Sequence, residues 1–327
     1  MSYNVSNGTV FPSDDSVGGQ ISGIINIIIV VLGAIASILL VIATYCQRLL
    51  RVPFYIFIAS WAVANFVTVL TFILEIIFMS RGTWVFPDFW CRYHYFVLQA
   101  VLLVRLYHMP IACVVAFFSR RYLTLFKSRA WLRIVYPVVL ATAVWILFLV
   151  LATPYIGASK LNTINGHKYC QLTNVSVGVA LGSIFLYWLP AMLSVILLIV
   201  WAFLYVRRSK NINIFIRERE NCEGMVLFII INVFVVSRLA LILFDYVQAT
   251  SWLDFMPWSH IRIIYNVLVT IAQSDFVLAP TLCLTVVPCY RRIFCLPCRG
   301  QPEIVDIETE PEPAAMPLKS NDVEQEA

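Results

Sequence analysis

Charged side chains interrupt stretches that are otherwise apolar, among them Glu75, Arg105, Arg238, Asp245 and Asp275. An ion held in hydrocarbon is costly, so such residues pair, reach water or mark a functional site. Counted along their runs, Arg105, Arg238 and Asp275 fall near mid-depth, whereas Glu75 and Asp245 lie nearer one end. Arg238 and Asp275 share a depth on successive runs and are expected to pair, whether to fix packing or to serve function. Glu75 and Asp245, with Arg105 below them and His108 on the same run as Arg105, are candidates to line a cavity. A ligand bearing charge or strong hydrogen-bonding groups would find complementary partners there.

Other chemistry is not visible. No His-Glu-x-x-His, no paired aspartates at catalytic spacing and no nucleophile elbow occur, so an enzyme is not expected. His94 and His108 lie on one helical face but about 20 Å apart along it, too far to share a metal. The Cys295–Cys298 spacing has no second pair or histidine beside it. Neither a metal nor a cofactor is expected. Phosphate-loop and nucleic-acid motifs are also missing, and the net charge of +5 follows from where the loops lie, so nucleic acid is not an expected partner.

What must position these residues follows from composition. Hydrophobic residues make up 61% of the chain and charged residues 13%, with a mean hydropathy of +0.85. A soluble domain carries roughly a quarter charged residues. About 20 apolar residues span a bilayer as a helix, and such runs occur at 21–46, 54–79, 90–118, 134–156, 177–206, 225–247 and 261–287. The expected fold is an all-α membrane protein, a bundle of seven transmembrane helices in one domain over 21–298. An N-terminal segment, 1–20, precedes it. The tail, 299–327, is acidic and poor in apolar residues and reads as disordered.

Positive charge sets the orientation. Arg and Lys crowd the segments after runs one, three, five and seven, including Arg120, Arg121, Lys127, Arg207, Arg208 and Arg292. The other side has Arg81, Lys160 and Lys168, with Arg92 close by. The rich side is expected in the cytoplasm, which puts the N-terminus outside. Three glycosylation acceptors, Asn4, Asn7 and Asn174, fall on the expected outer side. No basic n-region precedes the first run, so it is expected to serve as signal and anchor in place of a cleaved peptide. Of nine cysteines, this topology places only Cys91 and Cys170 outside, where a bridge is permitted. Cys46, Cys113 and Cys283 read as membrane-packed thiols and Cys222 as a cytoplasmic one. Cys289, Cys295 and Cys298, beside Arg291 and Arg292, are candidates for lipidation.

Trp84-Val85-Phe86-Pro87 before Cys91, Ala62-Val63-Ala64-Asn65, Arg120-Arg121-Tyr122, Ala279-Pro280 and Tyr290-Arg291-Arg292-Ile293-Phe294 together resemble the motifs of rhodopsin-like G-protein-coupled receptors. The last resembles the short amphipathic helix that follows span seven. The likeness runs from residue 21 to about 298. It departs where the acid before the arginine is Arg120, the second-helix aspartate is Asn65 and the asparagine before Pro280 is Ala279. The loosened motifs are most similar to nematode serpentine chemoreceptors of the gamma and V classes. The resemblance implies a chemosensory receptor of the plasma membrane or sensory cilium, taking a small extracellular ligand. It also implies that Arg121, Tyr122 and Arg120, with the mixed-charge loop 207–224, meet a heterotrimeric G protein. The buried acid, on this likeness, has moved from position 65 to Asp275. A transporter or channel that uses the buried charges as a pathway is the alternative.

Overall fold

The computed structural model describes residues 17–46, 52–81, 83–125, 130–164, 167–172, 222–237 and 258–291, with scattered positions between 189 and 203. All belong to one unit, Met1–Ile293. The first four helices are α1 (Val17–Cys46), α2 (Pro53–Arg81), α3 (Asp88–Leu125) and α4 (Ala130–Ala152). A short α5 (Pro154–Ala158) and a hairpin of β1 (Ser159–Ile164) and β2 (His167–Leu172) follow. Then come α6 (Cys222–Ser237), α7 (Trp258–Gln273), α8 (Asp275–Val286) and α9 (Pro288–Arg291).

Among the described residues, five segments are long and apolar enough to cross a membrane: Gly23–Cys46, Pro53–Phe78, Asp88–Val115, Ile134–Ala158 and Val267–Val286. They match runs one to four and seven of the sequence. Run five falls mostly outside the described residues, and run six is described only as far as Ser237. The spanning helices are not buried alike. Of the apolar window in α3, 67% is buried within the protein, against 22% in α4. Ile146, Leu147 and Val150 of α4 are exposed, a surface that hydrocarbon accepts and water does not.

Prolines and dipoles set the boundaries. α3 starts behind Pro87, whose carbonyl accepts from the Trp90 N–H at 3.1 Å. Asp88 stands in its first turn, where a carboxylate suits the helix dipole. At 38 residues it is about 57 Å long and overruns any bilayer. α4 ends at Ala152, although Thr153 keeps helical backbone: Pro154 has no N–H for the Val150 carbonyl, which accepts from the Thr153 N–H at 3.2 Å instead. The last helical segment is slightly interrupted at Ser274 and broken at Val287, whose backbone is extended ahead of Pro288.

The expectation of helices alone needs correcting, since β1 and β2 pair antiparallel from Ser159↔Leu172 to Ile164↔His167. Asn165-Gly166 stands between them, the dipeptide that two-residue hairpins favour. The strands are short and polar, so they left little trace in a hydropathy reading. The expected amphipathic helix after run seven is described only as the single turn α9.

Helices α1, α2, α3 and α8 pack around a mid-depth core. Gly33 of α1 allows a close approach: a Cβ there would lie 3.3 Å from Phe276 and from Val69.

Candidate functional site

One face of α3 organises the site. Cys91, His94, Leu98, Val101, Arg105, His108 and Ala112 are all buried, and their alternating three- and four-residue spacing lays them in a single stripe. A stripe of that kind is ordinarily apolar. Here it carries two histidines and an arginine, and each has found a polar partner.

Arg105 is paired at mid-depth. Its Nη2 donates to Asp275 Oδ2 at 2.8 Å, with side-chain exposures of 4% and 0%. Stripping water from each ion costs several kcal/mol, so the contact needs further support. Two features supply it. Asp275 lies in the first turn of α8, at the positive end of the helix dipole. The guanidinium carbon stands 4.6 Å from the ring centre of Phe276 and 5.7 Å from that of Trp61, within range of cation–π attraction. The interruption at Ser274 is slight, since its backbone stays helical and its carbonyl accepts from the Leu278 N–H at 2.9 Å, so the acid lies at an irregularity within one span.

The next residue extends the site into α2 and α1. Pro280 has no N–H, so it cannot bond the carbonyl four residues earlier, that of Phe276. Asn65 of α2 takes over: its Nδ2 donates to Phe276 O at 3.0 Å and to Ser37 Oγ at 2.8 Å. Ser37 in turn donates to Gly33 O at 2.7 Å. Four helices thus meet at residues 275 and 276. Asn65 thus bonds the carbonyl of the residue that follows Asp275.

Beside the ion pair is a cavity of about 20 Å³, bordered by Trp61, Arg105, Met109, Ser194, Ile231 and Phe234. That is room for about one water molecule. Ligand pockets for drug-sized molecules run to several hundred Å³, so a ligand can enter here only if the surrounding helices part.

At one end of the stripe, Cys91 is bonded to Cys170, with Cα atoms 5.5 Å apart. This ties the hairpin to α3. Trp84 reinforces the tie, since its N–H donates to Lys168 O at 2.7 Å and its ring meets those of Phe78, Phe86 and His94. His94 Nε2 lies 3.2 Å from Glu75 Oε1, which joins α3 to α2 beneath the hairpin. Tyr95 donates its hydroxyl to Cys170 O at 3.4 Å.

The opposite end is held by small polar contacts. The Thr44 hydroxyl donates to Leu40 O at 2.7 Å, which leaves Tyr290 to donate to Thr44 Oγ1 at 3.3 Å. Tyr55 Oη is 3.6 Å from Cys289 Sγ, and the rings of Tyr55 and Tyr290 meet edge-on at 6.1 Å. A hydrogen bond with Cys222, followed by burial, holds the Cys289 thiol far above its usual range. Burial likewise raises the Tyr290 phenol.

No protein-family model matches the chain, and no curated protein matches its sequence. What the site can do therefore rests on its own geometry.

The residues singled out from sequence now have places. Arg105 borders the small cavity, whose described lining does not include Glu75, and is the partner of Asp275. Arg238, the expected partner, lies outside the described residues, as do Asp245, Asn4, Asn7, Asn174, Cys295 and Cys298. Glu75 binds His94. His108 lies away from the cavity lining: it is fully buried, donates Nδ1–H to Val104 O at 2.7 Å and packs on Phe57. Arg120, Arg121 and Tyr122 belong to the last turns of α3, with side chains outside the description. Cys289 is engaged with Tyr55 and Cys222, so acylating it would require that cluster to open. Cys46, expected to be packed, is exposed at the end of α1. Sequence reasoning missed Trp61, the His94–Glu75 contact and the Asn65–Phe276 bond. The spacing from Phe276 to Pro280 announces an orphaned carbonyl, and the three-four spacing along α3 announces the buried stripe.

Proposed function

We propose that this chain is a membrane receptor that binds a small ligand near its disulfide end and passes a signal to a heterotrimeric G protein at its opposite end. The observation that supports this reading best is the Arg105–Asp275 pair. It is buried at mid-depth, borders the cavity and sits at the irregularity in the last helical segment. A ligand that parts the helices at the cavity reaches this pair first, and a change at Asp275 passes directly to α8 and α9. A ligand acts by favouring one of two helix arrangements. On the motif resemblance, the disulfide end faces outward, Arg120, Arg121 and Tyr122 face the G protein, and the setting is the plasma membrane of a chemosensory cell or its cilium.

The same buried charges would also serve a carrier, and one experiment separates the two. In a heterologous cell, a chemical panel is screened for calcium or cyclic-nucleotide signals, and the responding ligand is then tested on Arg121→Ala at equal surface expression. A receptor loses the signal and keeps ligand binding. If no compound of the panel gives a second-messenger response, and one is taken up by the parent chain and equally by Arg121→Ala, the reading is overturned.

A further inference from the structure

Glu75 stands on the inward face of α2. Asn65 and Thr68 of that face are fully buried, whereas Val63, Leu70 and Ile73 are exposed. At about 100° per residue, Glu75 falls beside Thr68 and nearly opposite Leu70. Its side chain is nevertheless 26% exposed, so the carboxylate lies at an opening within the bundle. Oε1 meets His94 Nε2 at 3.2 Å, and Oε2 has no bond among the described residues. His94 Nδ1 is buried with no partner, so the ring proton belongs on Nε2, where Glu75 accepts it. That bond orients the carboxylate without supplying a full positive charge. Among the described residues no lysine or arginine pairs with Glu75: Arg92 is held by Asp88 at 2.9 Å and Arg105 by Asp275. We infer that the group recognised on the ligand is a protonated amine, held by Glu75 between α2 and α3 at the disulfide end.

The surroundings select a cation. Glu75 Oε2 and His94 Nδ1 are acceptors that lack a donor, and an ammonium brings several N–H donors and no acceptor. Aromatic rings gather beside them. The centres of Trp84 and Tyr95 stand 5.7 Å and 5.3 Å from that of His94, and Trp84 meets Phe78 at 6.0 Å and Phe86 at 5.4 Å. The faces of such rings attract cations. An anion would meet the carboxylate at like charge, and a neutral alcohol would leave that charge uncompensated. The arrangement also sets a direction. Arg105 lies eleven residues beyond His94 on the same stripe, about 16 Å by helix rise, so the positive group belongs at the Glu75 end. Between the two, the stripe is apolar at Leu98 and Val101. Once the helices part, an alkyl or aryl body can follow those residues inward, toward the small cavity. That amine binding triggers a signal rests on the receptor reading above; the binding itself does not.

The test uses the full chain purified in detergent and reads its melting temperature, which rises when a ligand binds only the folded state. The probes are matched pairs: propylamine through octylamine against the corresponding alcohols, and phenethylamine against phenethyl alcohol. At neutral pH the amines are cations, as a lysine side chain is, and each alcohol matches its amine in size. At millimolar concentration at least one amine should raise the melting temperature by a few degrees, and its alcohol should not. Glu75→Gln keeps an acceptor for His94 and removes the charge, so it should abolish that preference. The inference is overturned if no amine stabilises the wild-type chain, or if every alcohol does as well as its amine. It is equally overturned if the amine preference survives Glu75→Gln. The first two results come from the wild-type chain, so they stand even where the variant fails to fold. Amine-selective stabilisation of a chain that gives no G-protein signal would retire the receptor reading alone; signals evoked by neutral compounds, with no preference for amines, would retire only the amine site.

Discussion

The two ends of the helix stripe are closed by different means. At the disulfide end a covalent bond, a two-stranded hairpin and the Trp84 aromatic group hold α2, α3 and the hairpin together. At the opposite end α1, α2, α6 and α9 meet through two phenols, a threonine and two thiols. A covalent link constrains geometry in every state of the protein. Weak hydrogen bonds, each worth about 0.5–1.5 kcal/mol net, can be exchanged when helices move. Under the receptor reading, this asymmetry would give a fixed mouth that presents one shape to a ligand and a base that can rearrange. Between the two ends, the Arg105–Asp275 pair is the part that neither end can replace.

That contrast sets an order of expected effects. The largest belongs to the middle. Asp275→Ala leaves Arg105 charged and buried, at an expected cost of about 3–5 kcal/mol. It should show as lost surface expression and a lower melting temperature in detergent. The paired change Arg105→Met with Asp275→Leu should recover most of that loss; if the double variant is as poor as the single, the pair is not what makes Asp275 necessary.

Next comes the covalent end. Cys91→Ser should cost about 2–4 kcal/mol, read as a fall in thermal stability. Its effect should add to that of a change at Tyr290, because the two ends share no partners. Strong non-additivity would mean that the ends are coupled and that the contrast between them is too sharp.

A smaller effect is expected at Asn65. Asn65→Ala would orphan the Phe276 carbonyl that Pro280 leaves open, at about 1–3 kcal/mol. In Pro280→Ala the helix can bond that carbonyl itself, so the added cost of Asn65→Ala should shrink in thermal unfolding. An unchanged cost would show that Asn65 acts through Ser37 instead.

The smallest effect belongs to the exchangeable end. Tyr290→Phe removes one hydroxyl and should cost about 0.5–1.5 kcal/mol. Under the receptor reading, its main consequence should be a raised signal without ligand, measured at matched surface expression. A large loss of stability with no change in basal signal would make this end as rigid as the other.

Much of this was legible in the chain before any fold was in view. The apolar runs marked five helices to within a few residues, because about 20 apolar residues in a row have few other uses. Cys91 and Cys170 separated from the other thiols once positive charge had assigned the sides. Arg105 and Asp275 stood out because charge in an apolar run is expensive. Their partnership with each other did not. Depth along a helix can be counted from sequence, but which faces of which helices meet depends on packing, and Arg105 and Asp275 are 170 positions apart. The hairpin was missed for a different reason: hydropathy is blind to short polar strands, although Asn165-Gly166 was there to be read.

By itself, then, the sequence determined where apolar length demands helices, where prolines and glycines end or thin them, and which side chains are too costly to leave alone. Only the tertiary structure decided how those costs are met: Asp275 by Arg105, the Phe276 carbonyl by Asn65, Glu75 by His94 and Cys289 by Cys222. The physical reason is range. Helix formation and burial depend on neighbours within a few turns, whereas satisfying a buried charge or hydrogen bond depends on whichever distant segment packing brings to within about 3 Å.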